Sequence, residues 1–270
     1  MSAHANTGTV LARILESRRA AVEHRKSVLP ETALKYGAKA ASPVRDFRAA
    51  LSRDALNIIA ELKPASPSRG IIRDPFDPVA LGQSLAAAGA AALSVLTEPE
   101  FFGGSLKNMR DARKEIAAPV LRKDFIMDSW QVWESRANDA DSFLLIVAAL
   151  SDLSLRELID LGRHLGMEPL VEVHTKAELE RALAAEATII GVNNRDLRTL
   201  DVRVETSLEL INFIPDKCFA VAESGLSSNA DLVRLRSAGF DAFLIGEHLM
   251  RSSDPAAALA DLLGTAPAAK

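Results

Sequence analysis

Cys218 is the only cysteine in the 270-residue sequence. No internal disulfide can form, which fits a reducing compartment. It precedes the apolar stretch "FAVAES", where packing is the expected use of a thiol. No uninterrupted apolar run reaches the ~18–20 residues of a membrane span. The N-terminal stretch carries Arg13, Glu16, Arg18 and Arg19 where a signal peptide needs its apolar region. There is no excess of positive charge either. A net charge of −4 gives no global electrostatic reason to bind nucleic acid or an anionic membrane, although a local basic pocket can still exist. Together these absences predict a cytoplasmic protein with no nucleic-acid or membrane partner.

What is present is 48% hydrophobic and 25% charged, ordinary for a globular chain with a sizeable core. Residues 9–26 read as an amphipathic helix on Val10, Leu11, Ile14, Leu15 and Val22. Residues 27–56 are mixed, and "ASPVRDFRAAL" suggests a loop and a short helix. From Asn57 a rhythm begins. Apolar, β-forming runs occupy 57–62, 91–96, 119–122, 142–147, 169–173, 188–192, 218–222 and 241–245. Stretches of helical character follow them at 76–88, 104–116, 129–138, 152–165, 175–185, 203–212, 227–238 and 254–263. Eight such units imply parallel strands joined by crossovers, and a (β/α)₈ TIM barrel fits their number and length. An open doubly wound sheet would carry a Gly-rich phosphate turn after its first strand, and "ELKPASPSRG" is not one. The expected organisation is an N-terminal helical extension, 1–56, packed on a catalytic barrel, 57–270, forming a single domain. Solenoid repeats are absent.

The first run, "NIIAELKPASPSRG", sets a puzzle. Glu61 and Lys63 follow core residues with no turn before Pro64, and a strand's alternation points both to one side. Unpaired charges there are costly to desolvate. Other runs end similarly: "PVLRKDF" in Arg122, Lys123 and Asp124, "PLVEVH" with Glu172, "IIGVNNRDL" in Asn193, Asn194 and Arg195, "FAVAESG" in Glu223, Ser224 and Gly225, and "AFLIGEH" at Gly246. In this fold the site lies at the C-terminal ends of the strands. A mouth lined by Glu61, Lys63, Lys123, Phe125, Asn193, Arg195 and Glu223 suits acid–base chemistry. Gly225 and Gly246 follow the last two strands, where backbone N–H groups can approach a phosphate, with Lys63 and Ser66 completing the cradle. The substrate is expected to be a small phosphate ester. Singly, each feature has a plain alternative: a structural ion pair for Glu61–Lys63, a charged turn for "RKD", a loop start for Asn193–Arg195, tight turns for the glycines. His174 and His248 read as loop or helix-start residues, because no metal-ligand spacing joins them to anything. Trp130 and Trp133 read as packing, and Asp124 as orienting Lys123 or capping the next helix.

Six blocks in order, "IIAELKPASPSRG", "SVLTEPEFFGGS", "PVLRKDFIMDSWQVWESRANDADSFLLI", "LVEVHTKAELERAL", "IIGVNNRDLRTLDV" and "AVAESGLSSNADLVRLRSAGFDAFLIGEHLM", closely resemble the indole-3-glycerol phosphate synthase family. The resemblance covers essentially the whole chain. It implies a lyase of tryptophan biosynthesis that uses no metal or organic cofactor. In the implied reaction 1-(2-carboxyphenylamino)-1-deoxyribulose 5-phosphate loses CO₂ and water to give indole-3-glycerol phosphate. Lys123 then matches the general acid on the ketone oxygen and Glu172 its acid/base partner. Glu61 and Lys63 match a pair near the ribulose chain that serves either the dehydration step or substrate positioning, and Asn193 and Arg195 match the anthranilate end. Glu223 matches a carboxylate near the substrate hydroxyls. Ser224, Gly225 and Gly246 match phosphate contacts, and Phe125 and Leu197 apolar walls. Some members have Ser where this chain has Glu247, which leaves a backbone N–H for the phosphate there. A monomer or weak homodimer is expected. Two other readings keep the fold: a phosphosugar aldolase with a Schiff base on Lys123, and a silent phosphate-binding scaffold.

Overall fold

Apolar runs bounded by polar turns fold as strands when both faces can be buried at once. In the computed structural model, which describes residues 9–196 and 199–265, eight of them do so. They are β1 (Asn57–Leu62), β2 (Ala92–Leu96), β3 (Val120–Lys123), β4 (Ser142–Ile146), β5 (Leu170–Val173), β6 (Ile189–Asn193), β7 (Phe219–Glu223) and β8 (Ala242–Ile245). All eight pair in parallel, and the ring closes in the order β1-β8-β7-β6-β5-β4-β3-β2. The fold is the expected (β/α)₈ barrel.

Each strand is followed by a helix: α4 (Pro78–Ala87), α5 (Leu106–Glu115), α6 (Ser129–Ala137), α7 (Asp152–His164), α8 (Lys176–Ala184), α9 (Glu205–Leu210), α10 (Asn229–Ala238) and, after β8, α11 (Glu247–Arg251) and α12 (Pro255–Leu263). Most of their starts are written locally. Asp77, Ser105, Asp128, Ser151, Thr175, Ser228 and Asp254 each accept a hydrogen bond from a first-turn N–H, which satisfies donors the helix leaves open. The short α11 carries too few residues to show a helical period, and the sequence reading leaves His248 there as a loop or helix-start residue.

Alternation sorts the strand residues into two apolar layers. Ile59, Ala92, Leu121, Leu144, Leu170, Ile189, Val221 and Ala242, one from each strand, meet inside the barrel, where Phe47 and Leu51 join them. The other set, including Ile58, Ala60, Val120, Phe143, Val171, Ile190 and Ala222, packs outward against the helices. Cys218 and Phe240 belong to that outer layer, so the thiol is buried as expected.

Three helices precede β1: α1 (Val10–Val28), α2 (Glu31–Ala40) and α3 (Phe47–Leu51). α2 went unread in the sequence because it buries only Leu34, too sparse a stripe for a period to show. Its Gly37 lies against Ala137 of α6, and Trp130 of α6 donates its indole N–H to the Leu29 carbonyl at 3.0 Å. Trp130 and Trp133 are packing residues, as read.

α1 is tied down by charge. Arg18 makes two hydrogen bonds to Asp124, at 2.8 and 2.7 Å. Asp124 also accepts from Thr97 at 2.6 Å and from Arg122 at 2.9 Å. This corrects two expectations. Arg122 does not face the rim: it is fully buried in the outer layer, bonded to Glu134, Ser135 and the Gln131 carbonyl as well as Asp124. Asp124 makes no hydrogen bond to Lys123. It joins α1 to the end of β3 and so fixes the backbone on which Lys123 stands.

Burial opposes the charge on Asp124, but Arg122 and Arg18 outweigh it and hold the carboxyl at about 2, below its ordinary 3.8. A depressed carboxyl stabilises the fold above the unfolded value and loses that contribution as pH falls towards the folded one. Asp124→Asn is therefore expected to cost roughly 3–5 kcal/mol at pH 7, because buried Arg18 loses its carboxylate partner and Arg122 one of its two. The gap from the parent protein should narrow by about 2 kcal/mol as pH falls from 5 to 2. Urea unfolding across that range checks it, and a constant gap contradicts it.

Candidate active site

One alternation step beyond the inner apolar floor, the odd-numbered strands present Glu61, Lys123, Glu172 and Glu223. Interior side chains of such barrels stack in layers contributed by alternate strands, so these four form one layer. Three carboxylates and one ammonium share a buried tier: Glu61, Glu172 and Glu223 are each at most 4% exposed. Room for them comes from the even strands. A Cβ on Gly191 of β6 would lie 2.2 Å from Glu223 Oε1, and one on Gly246, after β8, would lie 2.4 Å from Glu61 Oε1. A methyl at either position would have to displace a carboxylate of the tier.

The ammonium of Lys123 donates to Glu223 Oε2 at 2.6 Å and to Glu172 Oε2 at 3.1 Å. Glu61 pairs with Lys63 at 2.9 Å. Burial works against the charge on Lys123, yet Glu223, Glu172 and Glu61 together raise its proton affinity well above that of an ordinary lysine. Burial likewise works against the Glu172 carboxylate, but Lys123, His174 and a hydrogen bond with Asn193 keep its pKa below the usual value. Glu223 comes out differently. Burial raises its pKa first, the neighbouring Glu172 and Glu61 charges add to that, and Lys123 only partly offsets them, so the carboxyl stands at about 7.

The tier opens into a cavity of about 680 Å³, ample for a sugar phosphate joined to one aromatic ring. Phe125, Phe102, Leu96, Leu144 and Ile146 line it with apolar surface; the rings of Phe102 and Phe125 stand 5.9 Å apart. On the β7 side, Ser224 and Gly225 both have positive φ, 67° and 78°. That conformation costs a non-glycine residue about 1–2 kcal/mol, and a Cβ on Gly225 would meet Val202 at 2.5 Å.

Of the residues singled out in the sequence, Glu61, Lys63, Lys123, Phe125, Glu172, Asn193, Arg195, Glu223, Ser224, Gly225, Gly246 and Glu247 all line this one cavity. Ser66 does not; it is buried in the loop after β1, with Ser68 at 3.4 Å. Leu197 lies outside the described residues. Arg195 donates to the Leu200 carbonyl at 3.0 Å and stands 3.6 Å from Glu247. Glu247 also pairs with Arg69 at 3.1 Å, so three loops meet over the mouth. Asn194, read as a loop start, is buried: it donates to the Ser224 carbonyl and accepts from Ser207, stitching β6 to the next loop and α9.

Phe102, Arg69, His248 and Arg251 line the cavity without having been singled out as site residues. Phe102 had a local signal. Glu98 accepts from the N–H groups of Glu100, Phe101 and Phe102, and Gly104 sits where a Cβ would strike the Leu96 carbonyl at 2.2 Å. "TEPEFFGG" is thus a built turn that presents a ring. Among the described residues, no group of three or more His, Cys, Asp or Glu side chains is arranged to hold a metal ion, and no helix is long and apolar enough to cross a membrane.

A carboxyl raised from 4.5 to about 7 binds its proton more tightly in the folded chain, so its contribution to stability is lost as pH rises from 4.5 through 7. In ¹³C-glutamate NMR, one resonance absent from Glu223→Gln is expected to titrate near pH 7. Unfolding measurements should show the parent losing stability relative to that variant between pH 4.5 and 7. Titration in the ordinary carboxylate range would contradict the tier's charge arrangement.

Comparison with known proteins adds the family. The family model described as indole-3-glycerol phosphate synthase matches residues 11–262. The chain is 47% identical over 229 residues to the indole-3-glycerol phosphate synthase of Sulfurimonas denitrificans, covering 85% of this chain and 87% of that protein. It is 45% identical over 258 residues to that of Laribacter hongkongensis, covering 94% and 98%. Among solved structures it is similar in fold to 3-hexulose-6-phosphate synthase, with TM-score 0.61 and 13% identity over 78% of this chain and all of that one. The α-subunit of tryptophan synthase from Pyrococcus furiosus gives TM-score 0.60 and 14% identity over 77% and 98%. The last two similarities concern the barrel alone. The chain belongs to the indole-3-glycerol phosphate synthase family.

Proposed function

We propose that this chain closes the pyrrole ring of indole-3-glycerol phosphate, acting on 1-(2-carboxyphenylamino)-1-deoxy-D-ribulose 5-phosphate and releasing CO₂ and water. The observation that carries the reading is an ammonium fixed between two buried carboxylates, in a cavity with an aromatic wall on one side and the Ser224–Gly225 and Gly246 backbone on the other. The anthranilate ring lies against Phe125 and Phe102. The phosphate is taken by backbone N–H groups at Ser224–Gly225 and Gly246, without help from the Glu247 side chain. Arg195 receives the carboxylate at the anthranilate end.

Each residue then has a task. The ring carbon bearing the carboxylate attacks the ketone; the C–C bond forms, and Lys123 gives its proton to the ketone oxygen. The ring cation is offset by the carboxylates of the tier. Loss of CO₂ leaves its electron pair in the ring and restores aromaticity. The new hydroxyl next leaves as water with a proton from an acid, while a base takes a proton from the methylene next to nitrogen. Glu172, ionised, suits the base. Glu223, titrating at about 7 and 2.6 Å from Lys123, suits the proton carrier. Glu61 and Lys63 hold the ribulose chain, and Asn193 holds Glu172. All these groups come from one chain, which supports a working monomer. The single buried thiol fits a cytoplasmic setting.

The direct experiment supplies the carboxyphenylamino-deoxyribulose phosphate and follows indole fluorescence. Turnover is expected, and none from folded protein would reject the reading. Lys123→Met should lower kcat by ~10²-fold or more in the fraction that stays folded; unchanged kcat would remove Lys123 from the chemistry. Gly246→Ala, whose methyl must displace Glu61, should cost ~10²-fold in kcat/KM through misplacement of the tier. A fully active Gly246→Ala would contradict the packing given for Glu61.

A further inference from the structure

Just past the end of β5, two residues beyond Glu172, stands His174, whose side chain is only 11% exposed. His174 Nε2 lies 3.4 Å from Glu172 Oε1, the oxygen turned away from Lys123, and Nδ1 lies 3.3 Å from Glu178 Oε2. Glu178 is itself held in place. It stands in the first turn of α8, three residues after the capping Thr175, and its Oε2 also accepts the His174 backbone N–H at 2.8 Å. The result is a line of alternating charge, Glu178–His174–Glu172–Lys123–Glu223, running from a helix start into the catalytic tier.

We propose that His174, backed by Glu178, is a positioning residue for Glu172: its imidazolium keeps that carboxylate ionised and aimed into the cavity when Lys123 turns to the substrate. The inference rests on the reaction proposed above, which takes Lys123 to the ketone oxygen. At that moment Glu172 loses its hydrogen-bonded cation while Glu61 and Glu223 remain near it, and a carboxylate so placed would take up a proton and cease to be a base. Among the described residues, the only other cation in ion-pair contact with Glu172 is His174. Nε2 has no aligned hydrogen-bond partner at rest, so it is free to close on Oε1.

The surroundings favour the charged ring. Burial opposes it, but the hydrogen bond it donates to Glu178 and the charges of Glu172, Glu178 and Glu223 raise its proton affinity. Among the described residues, a second cavity of about 560 Å³ beside the imidazole is lined by the charged residues Glu178, Asp196, Asp201, Arg203 and Glu209. With His174 charged, Lys63, Lys123 and His174 match the three carboxylates of the tier.

Two readouts test this. In ¹⁵N-histidine NMR of the substrate-free protein, the resonance lost in His174→Asn should titrate above the free-histidine value of about 6.5, and Glu178→Gln should lower it. A ring already neutral at pH 6 would overturn the proposal, whatever the enzyme's activity. In the fluorescence assay, the acid limb of kcat should move up by about one pH unit in His174→Asn. That means about tenfold lower kcat at the acid end and an unchanged plateau above pH 8, with Glu178→Gln shifting the limb in the same direction. A uniform loss with an unshifted limb would mark His174 as merely structural and overturn the proposal. If the parent protein turned over no substrate, the reaction would be wrong instead, and the proposal, which rests on it, would fall with it.

Discussion

A buried ammonium has to be paired, and the way Lys123 is paired organises the rest of the molecule. Its two carboxylate partners come from β5 and β7, 49 and 100 residues further along the chain, and only ring closure brings those strands to one lumen. Three carboxylates in one tier repel each other, so the set is tolerated only with cations beside it and space above it. Lys63 and Lys123 are the cations at hand. Gly191 and Gly246 supply the space, because a single methyl at either would collide with a carboxylate oxygen. Under the proposed reaction, function and stability oppose each other here: the same crowding that raises the Glu223 carboxyl to about 7 suits it to carry a proton.

The support for this tier reaches outside the barrel. Lys123 and Asp124 are adjacent, and alternation turns them to opposite sides of β3. The inward residue faces the carboxylates of the tier; the outward one binds Arg18 from α1 and Arg122 in the layer beneath the helices. The helical segment before β1 therefore braces the strand that carries the ammonium. Buried ion pairs of this kind contribute little net stability over well-packed apolar groups. What they supply is a fixed direction, and a proton donor needs that more than it needs extra stability.

Much of this is legible in the sequence, for a physical reason. Alternation is strictly local, so the inward residues of each strand can be read from that strand alone; once a closed barrel is inferred from the eightfold rhythm, the mouth follows. This is why Glu61, Lys123, Glu172 and Glu223 can be named before any coordinates. The failures are of three kinds. Arg18 with Asp124 is a pairing across 106 residues, and Arg122 reads as a rim residue because local polarity says nothing about the partners waiting in the outer layer. α2 and α11 hide because one buries a single leucine and the other is five residues long. His174 is different. It stands just past the end of β5, where alternation no longer applies, and with no metal-ligand partner in view it reads as a loop or helix-start residue.

The central claim is geometric: the carboxylate-held ammonium and the amide-lined turn grip opposite ends of one substrate. A crystal structure with an unreactive substrate analogue, its ketone reduced to an alcohol, measures that directly. The account predicts Lys123 Nζ within about 3.2 Å of that alcohol oxygen, with the aromatic ring against Phe125 and the phosphate on the amides of Gly225 and Gly246. An analogue bound the other way round, or with Lys123 still closed on both carboxylates and out of reach of the alcohol, would contradict it.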